Sequence, residues 1–272
     1  MEDRVQITVK DHIADVKLVR TDKMNALDSK MFDALAQAGD EVAANPDVRC
    51  VVLSGEGRAF CAGLDISAMG SSGGSGSTGT SDAPDDGLGR LERRTNGDAN
   101  GPQYAAWVWR QMPKPVIAAV HGVAFGGGFQ VALGADIRIA APGTRMAVME
   151  MKWGLVPDMA GMALLRTLVR DDVARELTYT ARIFEADEAK EMGLVTKISD
   201  TPYEDAMELA AYIAGRNPDA ITAAKRLINN AADQTAQEVL LEESREQDKI
   251  IGTPTQMEAV MAELEKRPAK FG

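Results

Sequence analysis

The amino-acid sequence predicts an α/β fold with a helical C-terminal region, on three observations. Short apolar segments rich in β-branched residues alternate with helix-compatible segments as far as Pro157. Beyond Pro157 nearly every segment is helix-compatible. Apolar residues make up 45% of the 272 residues, and no apolar run approaches the roughly 20 residues of a membrane span. Strands that alternate with helices and then give way to helices are typical of an α/β core with a helical end.

The first elements along the chain are predicted strands followed by a helix. The segments RVQITVK and IADVKLV, residues 4–10 and 13–19, have the pattern of strands, and a turn separates them. Asp28 can accept a hydrogen bond from the first turn of a helix over about Ser29–Ala44, which the following NPD ends. The run RCVVLSGEG, residues 49–57, predicts a buried strand that ends in a glycine turn.

A change of composition interrupts this alternation. The segment from Gly70 to about Arg90, GSSGGSGSTGTSDAPDDGLGR, has too few apolar residues to offset the entropy of ordering it, so we expect a mobile loop. The strands PVIAAV (115–120) and DIRIAA (136–141) follow, with a helix after the glycines between them. The later predicted helices cover residues 159–169, 171–180, 186–193, 203–216, 219–234, 236–252 and 253–267.

The composition argues against several classes of function. The formal net charge of -11 disfavours nonspecific binding of nucleic acid. Two cysteines, Cys50 and Cys61, cannot form a disulfide framework, and two histidines, His12 and His121, disfavour a His-rich metal site. The start of the chain, MEDRVQITVK, lacks the apolar segment of a signal peptide. We therefore expect a cytoplasmic protein with no metal, no nucleic-acid partner and no membrane association.

Three consecutive glycines, residues 126–128, stand between a predicted strand and a predicted helix in HGVAFGGGFQ. A helix N-terminus leaves backbone N–H groups free, and glycine allows a ligand to approach them closely. The segment therefore suits a main-chain site for an oxyanion, or alternatively a tight turn or a close contact between strand and helix. A dinucleotide fingerprint does not fit, because Val131 occupies the position of its third glycine.

A second glycine segment, GRAFCAGLDI at residues 57–66, also follows a predicted strand. In combination, the two segments resemble the crotonase family, also called the enoyl-CoA hydratase/isomerase family. Further stretches match the same pattern: KMNAL (23–27), KPVIAAVHGVAFGGG (114–128), ADIRIA (135–140), WGLVPD (153–158), EAKEMGLV (188–195) and LEKRPAKF (264–271). The resemblance covers nearly the whole chain. It implies a crotonase-like spiral of ββα units over residues 1–200 and a helical trimerisation region over residues 201–272.

The resemblance also implies an acyl-CoA thioester as the substrate. Its carbonyl oxygen is expected to accept hydrogen bonds from the amides of Leu64 and Gly127, and a side chain at Gly127 would crowd that oxygen or turn the amide away. The residues expected along the CoA thioester are Met24, Ala26, Ala62, Leu64, Asp65, Ile66, Gly126 and Gly127. Candidates for binding the CoA phosphates, or else ordinary solvated surface residues, are Lys23, Lys266, Arg267 and Lys270.

Hydratases that the chain resembles use two glutamates, and here their positions hold Gln130 and Glu150. Glutamine has no proton to exchange at neutral pH, so Gln130 can only orient a water or line the substrate pocket. Dienoyl-CoA isomerases add an aspartate eight residues after the second position, where this chain has Asp158, but the aspartate that they carry at the first position is missing. Asp158 alternatively caps the helix that follows it. Glu150 lies in the apolar stretch MAVMEMKWG, where burying an unused carboxylate would be costly.

These residues predict an enzyme that shifts a C=C bond of an enoyl- or dienoyl-CoA through an enolate. Glu150 would be the principal base, Asp158 its partner, and Leu64 and Gly127 the oxyanion donors. The alternatives are an enoyl-CoA hydratase and a noncatalytic acyl-CoA-binding subunit. No cofactor is expected beyond the CoA that arrives with the substrate. The resemblance implies a homotrimer or a dimer of trimers, and fatty-acid metabolism is its commonest setting.

Overall fold

A computed structural model describes residues 1, 3–66, 89 and 91–271, and the strands within those ranges form two sheets. The strands are β1 (Val5–Lys10), β2 (Ile13–Leu18), β3 (Cys50–Gly55), β4 (Val116–Val120), β5 (Val123–Phe125), β6 (Ile137–Ala140), β7 (Arg145–Ala147), β8 (Phe184–Glu185) and β9 (Lys197–Ile198). The larger sheet has the order β1-β2-β3-β4-β6-β9, antiparallel between β1 and β2 and parallel elsewhere. In the smaller sheet, β7 lies between β5, to which it is parallel, and β8, to which it is antiparallel.

Helices connect these strands and make up most of the C-terminal part. They are α1 (Ser29–Ala44), α2 (Gly101–Gln111), α3 (Gly127–Gly134), α4 (Gly161–Leu165), α5 (Asp171–Thr180), α6 (Ala186–Glu191), α7 (Pro202–Ala214), α8 (Pro218–Ala231), α9 (Ala236–Ile250) and α10 (Pro254–Leu264). Two short 3-10 helices span Thr21–Lys23 and Glu150–Trp153. Each helix in the described ranges is too short or too polar to cross a bilayer.

The larger sheet is buried on both faces. Val51 and Leu53 of β3 join the main apolar cluster together with side chains of α1, α2 and α3. Cys50 and Val52, which alternate with them, join a second cluster that includes three alanines of α7. Burial on both faces explains why the parallel strands have continuous apolar runs rather than alternating ones.

The predicted α/β class is confirmed, and several elements begin and end where the sequence indicates. Helix α1 spans Ser29–Ala44, and the side chain of Asp28 accepts a hydrogen bond from the amide of Met31, as an N-cap does. The strands predicted at residues 4–10, 13–19 and 49–57 correspond to β1, β2 and β3. Local capping and apolar content therefore mark these elements in the sequence.

Other elements differ from the prediction. Strands β8 and β9 lie beyond Pro157, where nearly every segment was predicted as helix and no strand was predicted, and with two residues each they are too short to give a period. The helix predicted over residues 159–169 contracts to α4: it starts only after Ala160, which has a φ of 65°, and it ends at Leu165. Helix α2 was missed, although Asn100 and Gln103 form a capping box at its start.

Two predictions on chain organisation stay predictions. Apart from Gly89, the loop expected from Gly70 to about Arg90 lies outside the described residues. The division into residues 1–200 and 201–272 places a boundary just before α7, whose buried alanines pack on the larger sheet. The trimerisation role of the second part is taken up below.

Candidate active site

The two glycine segments lie side by side, and main-chain hydrogen bonds join them. The amide of Phe125 donates to the carbonyl oxygen of Cys61, and the amide of Cys61 donates to that of Val123, each at 3.1 Å. Gly63 has a φ of +87°, and a Cβ at this position would lie 2.5 Å from the carbonyl oxygen of Phe125. Only glycine permits this approach, because other residues carry a Cβ and rarely adopt a positive φ.

Glycines 127 and 128 also stand where a Cβ would lie close to neighbouring atoms. A Cβ on Gly128 would lie 2.5 Å from the carbonyl oxygen of Cys61, and a Cβ on Gly127 would lie 2.6 Å from Met159 Sδ and 2.7 Å from Leu27 Cδ1. At Gly127 these neighbours are the ends of flexible side chains, so the explanation offered for this glycine, crowding of a bound ligand, stays a prediction, whereas at Gly128 the main chain of Cys61 leaves no room for a Cβ. The start of α3 thus packs closely against the segment of Cys61, and this contact coexists with free main-chain amides.

Leu64 and Gly127 each present an amide that has no acceptor among the described residues. Leu27 bridges the neighbours of Leu64: its amide donates to the carbonyl oxygen of Gly63 at 2.8 Å, and its carbonyl oxygen accepts from the amide of Asp65 at 2.9 Å. In such a parallel bridge the amide of Leu64 points to the other side of its strand. Gly127 is the first residue of α3, where N–H groups have no partner within the helix. Both N–H groups are therefore available to a ligand.

Glu150 begins the 3-10 helix that follows β7, and it is only 8% exposed. Gln130 Nε2 donates to Glu150 Oε1 at 2.6 Å, whereas Glu150 Oε2 is buried without a hydrogen-bond partner in the part of the chain that the structure describes. Burial raises the pKa of Glu150 and the charge of Asp158 raises it further, while hydrogen bonds from the main chain and from Gln130 oppose the rise. Glu150 is thus a buried carboxyl group with one oxygen left to accept a proton.

The carboxylate of Glu150 lies against the glycine segment. A Cβ on Gly126 would lie 3.2 Å from Glu150 Oε1, and the amide of Gly126 donates to the carbonyl oxygen of Ala147 at 3.0 Å. Strands β5 and β7 are parallel neighbours, so Gly126 and Glu150, which follow them, lie at the same end of the smaller sheet. The structure therefore brings Gly127, predicted as an oxyanion donor, close to Glu150, predicted as the base.

Asp158 is exposed, and it lies close enough to Glu150 for its charge to raise the pKa of that group. The alternative role for Asp158, the N-cap of the following helix, is wrong. Helix α4 begins at Gly161, and Ala160 occupies the N-cap position in the left-handed conformation with no side-chain cap hydrogen bond. Two neighbouring carboxyl groups therefore belong to this site, one buried and one at the surface.

The sequence matches the family profile described as enoyl-CoA hydratase/isomerase over residues 8–272. The chain belongs to this family. It is 33% identical to an enoyl-CoA hydratase of Mycobacterium tuberculosis over 267 residues, which cover 96% of this chain and 93% of the relative. It is 30% identical to the peroxisomal Delta(3,5)-Delta(2,4)-dienoyl-CoA isomerase of Arabidopsis thaliana over 255 residues, which cover 93% and 90%. The resemblance seen in the two glycine segments is confirmed, and the chain is an enzyme of the hydratase or isomerase kind.

Solved structures of the enoyl-CoA hydratase/isomerase family share this fold. The crystal structure of an enoyl-CoA hydratase from Bacillus anthracis matches with a TM-score of 0.85 and 28% identity over 98% of each chain. That of an enoyl-CoA hydratase from Polaromonas sp. JS666 matches with a TM-score of 0.84 and 27% identity, over 99% of this chain and 100% of the other. The predicted crotonase-type fold is therefore confirmed.

Apart from the glycines at 126 and 127, the residues expected along CoA in this family come from two segments that contact each other. The amide of Ala62 donates to the carbonyl oxygen of Met24 at 2.9 Å, next to the bridge that Leu27 makes. Ala26 is buried, whereas Leu64 and Ile66 are exposed. The geometry leaves the outer edge of these segments open to a ligand.

Asp65 behaves differently from the other expected contacts, because its carboxylate is directed into the protein. It is 7% exposed, and Arg20 Nη2 donates to its Oδ2 at 2.6 Å. Arg20 Nη1 also donates to the carbonyl oxygen of Ala26 at 2.9 Å, so it ties the two segments together. Sequence analysis missed Arg20, since it stands outside every matched stretch.

Asn25 is a second structural residue that sequence analysis missed, although it stands inside the matched stretch KMNAL. Its side chain is fully buried, and its φ of 56° is one that asparagine adopts more readily than most residues. Its Nδ2 lies within hydrogen-bond distance of the carbonyl oxygens of Glu56, Ala59 and Phe60. Asn25 therefore fixes the loop after β3 against residues 23–27.

The basic residues considered for the CoA phosphates differ in their surroundings. Arg267 is already paired, with Nη1 2.6 Å from Glu258 Oε1 and Nε 2.6 Å from Glu265 Oε2. The other three are exposed: Lys23, Lys266 and Lys270. Within the described ranges, no group of three or more histidine, cysteine, aspartate and glutamate side chains is placed to hold a metal ion.

Proposed function

We propose that this protein shifts a C=C bond of an enoyl- or dienoyl-CoA through an enolate held by two main-chain amides. The observation that carries the proposal is the carboxyl group of Glu150, which is buried beside Gly126 with Oε2 unpartnered among the described residues. An unpaired buried carboxylate oxygen destabilises a fold, and such groups are typical of sites that transfer protons.

The proposed reaction begins with the thioester carbonyl oxygen bound by the amides of Leu64 and Gly127. Each such donor stabilises the negative charge of the enolate by roughly 3–4 kcal/mol. Glu150 Oε2 takes a proton from the carbon beside the thioester: a C–H bond breaks, an O–H bond forms, and the electron pair enters the enolate. A proton then returns to a carbon further along the conjugated system, which shifts the C=C bond and restores the carbonyl group.

Asp158 is the second proton-transfer group in this proposal. A base works best when its pKa lies near the working pH, and burial together with the charge of Asp158 raises the pKa of Glu150 in that direction. Because Asp158 is exposed, it can exchange protons with solvent while Glu150 is covered by the substrate. The pair would resemble that of the dienoyl-CoA isomerases only in part, since Gln130 stands where they carry an aspartate.

Hydration is the alternative reaction, because one of the relatives is named an enoyl-CoA hydratase. Addition of water requires one group to activate the water and another to deliver a proton. Gln130 has no proton to transfer, so Asp158 would have to supply the second function. The side chains at the site therefore favour isomerisation. No contact or side chain of the described residues favours the noncatalytic alternative.

The proposed reaction moves protons without net oxidation, so it needs no metal or redox cofactor, and CoA arrives with the substrate. We place the protein in the cytoplasm and in lipid metabolism, as a homotrimer or a dimer of trimers. Assembly through residues 201–272 is supported by exposed apolar side chains on its last three helices: Ile228, Leu240, Leu241, Met257, Val260 and Leu264.

Product analysis with three probes tests the reaction: trans-2-hexenoyl-CoA, trans-3-hexenoyl-CoA and a 3,5-dienoyl-CoA. The expected product from trans-3-hexenoyl-CoA and from the 3,5-dienoyl-CoA has the mass of the substrate and a shifted C=C bond, which proton NMR locates. The C=C bond of trans-2-hexenoyl-CoA is already conjugated with the thioester, so this probe tests for hydration. A 3-hydroxyacyl-CoA as the main product would replace the proposal with hydration. An absence of turnover on every probe would favour the noncatalytic subunit.

The variant Glu150→Gln tests the base. We expect kcat to fall on the order of 10²–10⁴-fold, because an amide cannot accept the proton. Affinity for the thioester should persist, since the oxyanion donors are main-chain groups. Glu208→Gln, which changes an exposed carboxylate on α7, is the matched control with unchanged kcat. Full turnover by Glu150→Gln would contradict the assignment.

A further inference from the structure

We infer that Gln130 is a positioning residue for the proposed reaction: its amide holds Glu150 Oε1 and leaves Oε2 as the oxygen that takes the substrate proton. The inference rests on the proposed function of Glu150. Gln130 stands where the hydratases carry the first of their two glutamates. The inference gives this glutamine a function of its own, although it cannot transfer a proton.

The orientation of the Gln130 amide is determined by two main-chain donors. The amides of Met159 and Gly161 donate to Gln130 Oε1 at 2.9 Å and 2.8 Å. Only a carbonyl oxygen can accept two such bonds, because an NH2 group in its place would face two N–H groups. The NH2 group must therefore point to Glu150, whose Oε1 it contacts at 2.6 Å.

The surroundings of Gln130 leave its side chain little freedom. The residue is 2% exposed and lies in the first turns of α3, next to the glycines that precede it. A Cβ on Gly161 would lie 2.5 Å from Gln130 Oε1, so glycine at position 161 is what lets that amide reach the side chain. The main-chain amides that hold the side chain of Gln130 therefore also fix the position of the carboxyl group of Glu150.

This geometry makes the two oxygens of Glu150 unequal. Oε1 accepts a hydrogen bond from a neutral donor, and Oε2 has no partner within the described residues. A hydrogen bond donated to the charged form favours that form, so Gln130 keeps the pKa of Glu150 lower than burial alone would set it. In this proposal, the hydrogen bond at Oε1 orients the carboxylate of Glu150, and Oε2 accepts the proton.

A carboxylic acid at position 130 would change this balance in a way that depends on pH. It would still accept from the amides of Met159 and Gly161, and while protonated it could donate to Glu150. Once both carboxyl groups ionise, no donor remains and two like charges stand at hydrogen-bond distance. The two groups would titrate as a coupled pair, with apparent pKa values that belong to both.

Two variants test the inference on trans-3-hexenoyl-CoA: Gln130→Met, which has similar length and no hydrogen-bonding group, and Gln130→Glu. Gln130→Met should lower kcat on the order of 10- to 100-fold, the loss expected for a hydrogen bond to a charged group, with KM within about twofold. Its acidic limb in the kcat profile should move to higher pH. Gln130→Glu should regain activity over Gln130→Met while the pair holds one proton, and lose it again as pH rises.

Controls separate a positioning role from a structural one. The thermal midpoint and the affinity for free CoA are measured for each variant, and Gln6→Met makes the same change at an exposed site on β1. A kcat and pH profile of Gln130→Met equal to those of the parent would overturn the inference, as would a Gln130→Glu profile without the decline at higher pH. Turnover retained in Glu150→Gln would instead overturn the proposed function, so the two failures are distinguishable.

Discussion

Asp65 and Glu150 are almost equally buried, 7% and 8% exposed, yet their surroundings differ in kind. Asp65 Oδ2 contacts the guanidinium of Arg20 at 2.6 Å. Glu150 Oε1 accepts a hydrogen bond from the neutral amide of Gln130, also at 2.6 Å, and Oε2 has no partner among the described residues. One carboxylate is neutralised by an ion pair, and the other is held in place without being neutralised.

The difference shows which of the two is available for chemistry. A buried charge is tolerated when an opposite charge compensates its lost hydration, and Asp65 has that compensation. Such a group contributes to structure: with Arg20 it fixes the segment that carries the amide of Leu64. Glu150 lacks the compensation, so its pKa is raised and its free oxygen can accept a proton. In the proposed reaction, Glu150 lowers the stability of the fold in exchange for reactivity.

The largest effect on stability is expected when the compensated pair is broken. Asp65→Asn leaves Arg20 without its main partner in a mostly buried position, although Asp28 Oδ2 remains 3.6 Å from Arg20 Nη1. We expect the free energy of unfolding to fall by about 2–3 kcal/mol, somewhat less than for a pair with no second partner. Urea denaturation followed by circular dichroism measures this loss.

Asp172→Asn is the control for this prediction. Asp172 pairs with Arg170 at 2.9 Å, but both side chains are largely exposed, so the unfolding midpoint should not move measurably. Equal midpoints for Asp65→Asn and Asp172→Asn would show that burial does not distinguish the two pairs, and the comparison with Glu150 would lose its basis.

A smaller effect of opposite sign is expected at Glu150. Glu150→Gln keeps an oxygen for the hydrogen bond from Gln130 and removes the charge that burial disfavours. We expect the protein to gain about 1 kcal/mol in the free energy of unfolding at neutral pH while it loses turnover, the trade-off seen where an active site is strained. The exposed Glu208→Gln should leave stability unchanged. A destabilised Glu150→Gln would mean that the buried NH2 group introduced at Oε2 costs more than the charge that it replaces.

Much of the fold could be predicted from local sequence, because the responsible interactions are local. The N-cap of α1, Asp28, accepts a hydrogen bond from an amide only three residues away. The burial of β3 can be predicted from the apolar run that forms the strand. The capping box of Asn100 and Gln103 was an unused signal of the same kind. By contrast, β8 and β9 are defined by pairing with distant strands and have no period of their own.

The site divides along the same line. The glycine segments could be found from residue type and position, and Glu150 from the family resemblance that these segments carry. The partner of Asp65 is 45 residues away in the chain, and the donors to Gln130 are 29 and 31 residues away, so no sequence period reveals them. The capping role considered for Asp158 is wrong because the N-cap of α4 is Ala160, two residues later, in a left-handed conformation.

The smallest expected effect that tests the comparison of Asp65 with Glu150 is a pH dependence. It concerns the difference in the free energy of unfolding between Glu150→Gln and the parent protein. The pKa of Glu150 is raised in the folded protein, so between the ordinary glutamate range and the raised value the unfolded chain binds fewer protons than the native one. Stability of the parent attributable to Glu150 therefore falls as pH rises through that window.

Below the ordinary glutamate range both states of the parent carry a protonated Glu150, so the parent and Glu150→Gln should be equally stable with respect to this group. Above the raised pKa the gap should reach its full size and stay constant. Urea titrations of both proteins across this pH series measure the gap directly. A gap that is independent of pH would show that shape rather than charge separates the two proteins, and a gap that widens toward acid would mean that the pKa of Glu150 is lowered by folding, as for a carboxylate paired like Asp65.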